Sequence, residues 1–352
     1  MFFSKSKNLV GLDIGSSAIK LVELKEKKAG SFQLLNMGLE QLSPEAIVDG
    51  SIMDSSMVVD TIQRLNAAQG VKNSNFATAL SGHSVIIKKI SLPSMSPEEL
   101  AESIQWEAEQ YIPFDINDVN LDYVPLSAPG MGDTIDVILV AVKKEKINDY
   151  TSVIAQSGKN AVLVDVDAFA LQNCYEANYD VEEGKIVALV NIGASVTNVN
   201  VLSGSHSLFW RDITFGGNQY TDAIQRELSL PFETADALKR GQEVGDYSVQ
   251  QVIPILNSVS EDFASELRKT LDFFTATSAT DSVDEIMLAG GGSAAMNLET
   301  ILRDKFGIPV EIMNPFKNIV FNENEFNPEL ISEVAPSMAV AVGLAVRKLG
   351  DA

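Results

Sequence analysis

The chain has 352 residues, 45% of them hydrophobic and 21% charged, which is enough for two or more domains with their own cores. With 26 Lys and Arg against 48 Asp and Glu, its formal net charge of -22 argues against nonspecific nucleic-acid binding and against an anionic membrane surface, both of which need basic side chains at phosphates. A single cysteine, Cys174, excludes an intrachain disulfide, and with only His83 and His206 beside it a His/Cys zinc site is excluded too; a reducing cytoplasm fits. The opening MFFSKSKN is too short for the apolar core of a signal peptide, and no window reaches ~18 apolar residues without a charge. Any attachment to a membrane is therefore expected to come from a partner.

Residues 10–24, VGLDIGSSAIKLVEL, read as a strand, a tight turn on Gly15, Ser16 and Ser17, and a second strand from which Lys20 projects. Asp13 stands in the apolar first strand, and a buried aspartate is costly unless it is paired, hydrogen-bonded or near a metal. An inserted unit is expected at 76–160. Within it SVIIKKISLP reads as a strand, and SPEELAESIQWEAEQYI as a helix opened by a Ser96 and Glu99 capping box with Pro97 at its first position. Leu100, Ile104, Ala108, Tyr111 and Ile112 form its apolar stripe. Trp106 falls off that stripe, to be covered by a neighbouring subdomain or by a partner. LSAPGMGD (126–133) reads as a loop, DTIDVILVAV as a strand, KEKINDYTSVIAQSG as a helix ended by Gly158, and NAVLVDVDAF as a buried strand.

KIVALVNIGASVTNVNVL echoes the first hairpin: Asp13, Ile14, Gly15 and Ser17 fall on Asn191, Ile192, Gly193 and Ser195. The two hairpins look duplicated, and each turn suits a phosphate, since Ser hydroxyls and backbone N–H groups are donors. After FGGN (215–218) come helical QYTDAIQREL and TADALKRG, then a longer helix with Ile255, Val259, Phe263 and Leu267 at helical spacing. DEIMLAGGGSAAMNLETILRDKF reads as strand, glycine turn and helix, and PSMAVAVGLAVRKLG as a helix whose small residues allow close packing. Gly290, Gly292 and Ala295 also satisfy the dinucleotide pattern G-x-G-x-x-G/A, with Glu311 about 20 residues on, where such a fold wants an acid for the ribose. That alternative, a dinucleotide-binding enzyme, leaves both hairpins and FGGN unexplained, and no GxxxxGK[ST] P-loop occurs.

Taken in order, these stretches resemble the actin-like ATPase superfamily. Its phosphate-1, connect-1, phosphate-2, adenosine and connect-2 segments look like residues 9–24, 165–177, 186–202, 286–297 and 335–348. Within it the whole chain most resembles the type IV pilus assembly family PilM, with the cell-division family FtsA as the nearest relative and the alternative. The resemblance implies an α/β, actin-like (ribonuclease H-like, duplicated) fold of two lobes around a nucleotide cleft with an FtsA-like inserted subdomain. The first lobe would take 1–75, 161–185 and 335–352, the inserted subdomain 76–160, the second lobe 186–212 and 285–334, and a helical adenosine-side subdomain 213–284.

The same resemblance implies ATP and Mg2+ held between the hairpins. Asp13 would face the magnesium; Gly15, Ser16, Ser17 and Lys20 would meet phosphate from one side, and Asn191, Gly193, Ala194 and Ser195 from the other. Gly216, Gly217 and Asn218 would lie near phosphate and sugar, Asp236 near the ribose, Lys239 near base or sugar, and Gly290, Gly291 and Gly292 against the adenosine. Read without the resemblance, Asp13 caps a turn, Lys20 and Lys239 are solvated, and the glycines start a helix. One departure stands out: the second hairpin usually carries Asp where this chain has Asn191, and an amide can orient water but cannot act as a base. Hydrolysis is therefore expected to be weak or absent, with Asp13 and Asp167 as the catalytic candidates; Asp167 reads equally as a helix N-cap. The function implied is a cytoplasmic ATP-binding scaffold of the pilus inner-membrane complex that grips the cytoplasmic N-terminal segment of PilN, with other pilus assembly proteins and further copies of the chain as additional partner classes. FtsA proteins end in an amphipathic membrane helix, whereas this sequence stops at RKLGDA.

Overall fold

A computed structural model describes residues 8–28, 30–126, 133–278 and 282–350. The strand Val10–Ile14 pairs antiparallel with Ala18–Lys28, the turn closing through a bond from the Gly15 N–H to the Ala18 carbonyl, 3.1 Å. Ile186–Ile192 pairs with Thr197–Ser203 in the same way, closed by the Gly193 N–H on the Val196 carbonyl at 2.9 Å. The registers match as well: Asp13 lies opposite Lys20, and Asn191 opposite Asn198.

The duplication extends to whole sheets. Each hairpin's first strand has a parallel neighbour on its other side, Asn75–Leu80 beside the first and Glu285–Ala289 beside the second. One sheet has six strands in the order Asn160–Val166, Asn75–Leu80, Val10–Ile14, Ala18–Lys28, Ser31–Gln41, Ile319–Val320. The other has five, in the order His206–Ile213, Thr197–Ser203, Ile186–Ile192, Glu285–Ala289, Val310–Ile312. All seven residues of Ile186–Ile192 are buried, as expected for a strand covered on both faces.

Two helices run between the sheets. Asp167–Asn178 and Ala339–Ala345 share one core with Val22, Leu24 and Leu34 of the first sheet and Val187, Leu189 and Leu202 of the second. Small residues set their approach: a Cβ on Gly343 would stand 1.7 Å from the Ala170 carbonyl oxygen, and one on Gly11 2.0 Å from that of Ala341. Cys174 is buried in this layer, where burial pushes its thiol far up, so it serves as core. The stretch Pro328–Ala345 is long and apolar enough to cross a membrane by length and composition, yet it carries Glu329 and Glu333 and its helix end is wholly buried here.

A separate three-stranded sheet, in the order Val85–Pro93, Thr134–Lys143, Val119–Pro125, packs against the helix Pro97–Ala108. The capping box is present: the Ser96 N–H donates to Glu99 Oε2 at 2.8 Å and the Glu99 N–H to Ser96 Oγ at 3.2 Å. Leu100, Ile104, Ala108 and Ile112 are buried as expected, but Tyr111 is 40% exposed, because the helix stops at Ala108 and the chain turns before that ring completes the stripe. Trp106 is 72% exposed. The sheet spans 85–143, so the expected unit at 76–160 is too wide. Its edges contain the strand Asn75–Leu80 and the helix Lys144–Gln156, whose Tyr150, Val153 and Ile154 fill the core of the first large sheet. Likewise Ile319–Val320, expected in the second lobe, pairs with Ser31–Gln41 of the first. The loop expected at 126–133 lies, apart from its end residues, outside the described residues.

The helix Val249–Thr277 buries Val252, Leu256, Phe263, Leu267 and Phe274, with Ile255 and Val259 only flanking that face. Repeated steps of four residues advance about 40° beyond full turns, so the expected 255, 259, 263, 267 series rolls off the stripe at its start. The glycine turn after Glu285–Ala289 leads into a short 3-10 segment, and the next helix begins only at Leu298. The dinucleotide reading fails there, since it needs a helix opening directly off the glycines.

Candidate functional site

Asp13 is held by its cross-strand neighbour. Lys20 Nζ donates to Asp13 Oδ2 at 3.0 Å, and both side chains keep only about one-sixth of their surface in solvent (15% and 16%). Gly15 leaves room for that ammonium, because a Cβ there would sit 2.8 Å from Nζ. Ser16 is half-buried and Ser17 exposed at the tip, where the Ser17 carbonyl accepts from the Leu42 N–H and fixes the turn.

The second hairpin replaces this ion pair with amides. Asn191 Nδ2 donates to Asn198 Oδ1 at 3.0 Å, and Asn198 Nδ2 donates in turn to Asp212 Oδ1 at 2.8 Å. The other Asp212 oxygen accepts from the Gly82 N–H at 2.7 Å, directly before the three-stranded sheet begins. Sequence reasoning missed Asp212. The available signal was its place in WRDI, an alternating strand that register sets beside Asn198.

Asp167 links the two halves. It is the first residue of its helix, and Val166 stands at the cap without a side-chain bond, so the N-cap alternative does not hold. Burial pushes the Asp167 carboxyl up to about 7; the Asp13 and Asp212 charges push the same way, against a Ser81 hydrogen bond and Lys20. Asp13, Asp167 and Asp212 thus share one electrostatic neighbourhood. Asn200 Nδ2 reaches across to the Ala168 carbonyl at 3.0 Å and ties the second sheet to the same helix end.

The glycines pack backbone on backbone. Gly217 N–H donates to the Gly193 carbonyl at 2.9 Å and Asn218 N–H to the Ala194 carbonyl at 2.8 Å, while Asn218 Nδ2 reaches Ser195 Oγ at 3.5 Å. A Cβ on Gly216 would stand 2.5 Å from the Ala194 oxygen. FGGN is thereby seated on the second hairpin's turn. Gly290, with φ +83, and Gly292 close on the same hairpin: added Cβ atoms would meet the Ile192 oxygen at 2.3 Å and Ile192 Cγ2 at 2.4 Å. Gly291 is exposed beside Ser337. Lys239 is not a solvated helical lysine: its Nζ lies 2.5 Å from Asp236 Oδ1, 2.7 Å from Thr221 Oγ1 and 3.4 Å from the Gly217 carbonyl, bracing the FGGN turn, while Arg240 shares Asp236.

Residues 11–349 match the family described as Type IV pilus assembly protein PilM. The chain belongs to that family. A solved structure, "PilM-PilN type IV pilus biogenesis complex", is 30% identical with a TM-score of 0.87, covering 97% of this chain and 98% of that one. Ethanolamine utilization protein EutJ from Carboxydothermus hydrogenoformans aligns at TM-score 0.60 with 14% identity, over 97% of this chain and 90% of that chain. MreB5 of Spiroplasma citri bound to ADP aligns at 0.51 with 12% identity, over 96% and 94%. The fold is therefore actin-like, as the hairpin order implied, and PilM rather than FtsA is the family.

The site can be tested against the nucleotide that such a fold implies. Among the described residues no three His, Cys, Asp or Glu side chains gather as a metal group. Mg2+ on a nucleotide needs only one or two protein carboxylates beside phosphate oxygens and water, so Asp13 fits that demand. Glycine turns, serine hydroxyls and one half-buried lysine are the donor set a triphosphate takes. The residues present fit the group.

Proposed function

We propose that the chain is an ATP-binding scaffold of type IV pilus assembly that works at the cytoplasmic face of the inner membrane and holds the cytoplasmic N-terminal segment of PilN. The 30% identical PilM-PilN complex carries the partner half of this reading, and the pair of sibling turns carries the nucleotide half. Asp13 would hold Mg2+; Gly15, Ser16, Ser17 and Lys20 would hold phosphate from one turn, and Asn191, Gly193, Ala194 and Ser195 from the other. Gly216, Gly217, Asn218, Asp236, Lys239 and Gly290 to Gly292 would form the sugar and base side. Bound ATP would supply a triphosphate charge that both turns share.

Coupling to the partner has a physical route here. Asn191 and Asn198 lead to Asp212, whose other oxygen grips Gly82 at the base of the three-stranded sheet. A nucleotide that rearranges the second turn shifts this chain of bonds and with it the seat of the sheet. Coupling of ~1–3 kcal/mol is typical of such linkage. Titrating the PilN N-terminal segment with and without Mg-ATP is expected to give affinities about fivefold or more apart. Equal affinities remove the coupling, and no binding in either state removes the partner.

Turnover is expected to be slow. Asn191 cannot act as a base, and one of its amide N–H groups is engaged by Asn198. Asp167 remains as the group that orients water. Phosphate release is expected well below ~1 per second, the low end of ordinary enzymes; steady release at that rate or faster refutes this part.

A further inference from the structure

The end strand of the three-stranded sheet, Val85–Pro93, and the end strand of the second large sheet, His206–Ile213, flank a cavity of about 380 Å³. Ile87, Lys88 and Lys89 line it from one strand and the Leu208 to Arg211 run from the other. Phe273 of the long helix closes it, 51% exposed and packed on Phe209 with ring centroids 6.1 Å apart. Each strand is the last of its sheet among the described residues, so each keeps a row of backbone N–H and C=O groups outside its sheet. Nothing in the nucleotide reading uses this groove.

Its charge runs against the rest of the molecule. The chain carries -22, yet Lys88, Lys89 and Arg211 meet at this one opening. Lys89 is paired with Asp136 at 2.9 Å, which leaves Lys88 and Arg211 as the cations an occupant meets. The Arg211 guanidinium lies 5.5 Å from the Phe273 ring, presenting charge beside an apolar face. Trp210 also lines the groove, its ring packed edge-on to Phe169 with centroids 6.1 Å apart, so its emission reports on this strand.

We propose that this groove docks an extended segment of a partner protein in which Asp or Glu alternate with apolar residues, adding as a strand between the two sheet edges. Backbone bonds supply affinity, Phe209 and Phe273 take the apolar side chains, and Lys88 and Arg211 take the carboxylates. The chain's net charge of -22 disfavours such a segment in general, so its attraction rests on the cations of this opening.

The test is a random dodecapeptide phage library selected on the full chain and depleted on the K88E/R211E double variant, both judged folded by melting curves. Retained peptides are expected to carry at least two acidic residues interleaved with apolar ones. They should bind wild type at least tenfold tighter than the variant. In a W106F background, where Trp210 is the remaining tryptophan, binding should change its emission. K88A/R211A serves in place of the charge reversal if that variant melts early. Peptides that are not acidic, that bind both proteins equally, or that leave Trp210 emission unchanged overturn the proposal.

Discussion

Replacing Lys20 with alanine is expected to weaken ATP binding about 10- to 100-fold, as read by calorimetry on folded protein in Mg2+ buffer. Lys20 is the cation of the first turn, and it is already poised: its Nζ lies 3.0 Å from Asp13 with little of the side chain in solvent. A hydrogen bond to a charged group is worth ~1.5–3 kcal/mol, and each 1.4 kcal/mol is about tenfold in affinity. Lys20→Arg should not restore binding, because the broader guanidinium has to occupy the space that Gly15 leaves for an ammonium. An alanine variant that binds ATP within threefold of wild type would show that the first turn is not a phosphate site.

The parts of this site that were legible share a local cause. Each hairpin announces itself by a glycine turn between apolar strands, and the echo of Asp13 by Asn191 survives because register fixes those positions within a few residues of the turn. Asp212 was illegible because its meaning comes from two non-local contacts, Asn198 across a strand pair and Gly82 far away in the chain. Lys239 shows the same limit: its helix was legible, but the carbonyl and hydroxyl that hold it belong to another helix. Domain edges failed for a related reason. The helix Lys144–Gln156 follows directly on the inserted sheet's Thr134–Lys143 strand, and only packing of Tyr150, Val153 and Ile154 assigns it to the first large sheet.

Asp167→Asn is expected to stabilise the nucleotide-free protein at pH 8, by about 2 °C or more in Tm, with a gain that shrinks toward zero near pH 4. Burial, reinforced by the Asp13 and Asp212 charges, holds the Asp167 carboxyl near 7 in the fold, above its ordinary 3.8. A raised carboxylate binds more protons folded than unfolded between those two values, so stability falls as pH rises through that window and the whole penalty stands above about pH 7. At ~1.4 kcal/mol per pH unit, a three-unit gap is about 4 kcal/mol at its upper limit. For a chain of 352 residues ~1 kcal/mol moves Tm by about 1–2 °C, so even half of that gap is measurable. Asparagine keeps the shape and cannot ionise, which removes the penalty where it is largest and changes nothing once the native carboxyl is already protonated. A variant that melts with or below wild type at pH 8, or whose gain is the same at pH 4, would mean that Asp167 is not crowded by its two acidic neighbours, and the shared carboxylate neighbourhood between the hairpins would dissolve with it.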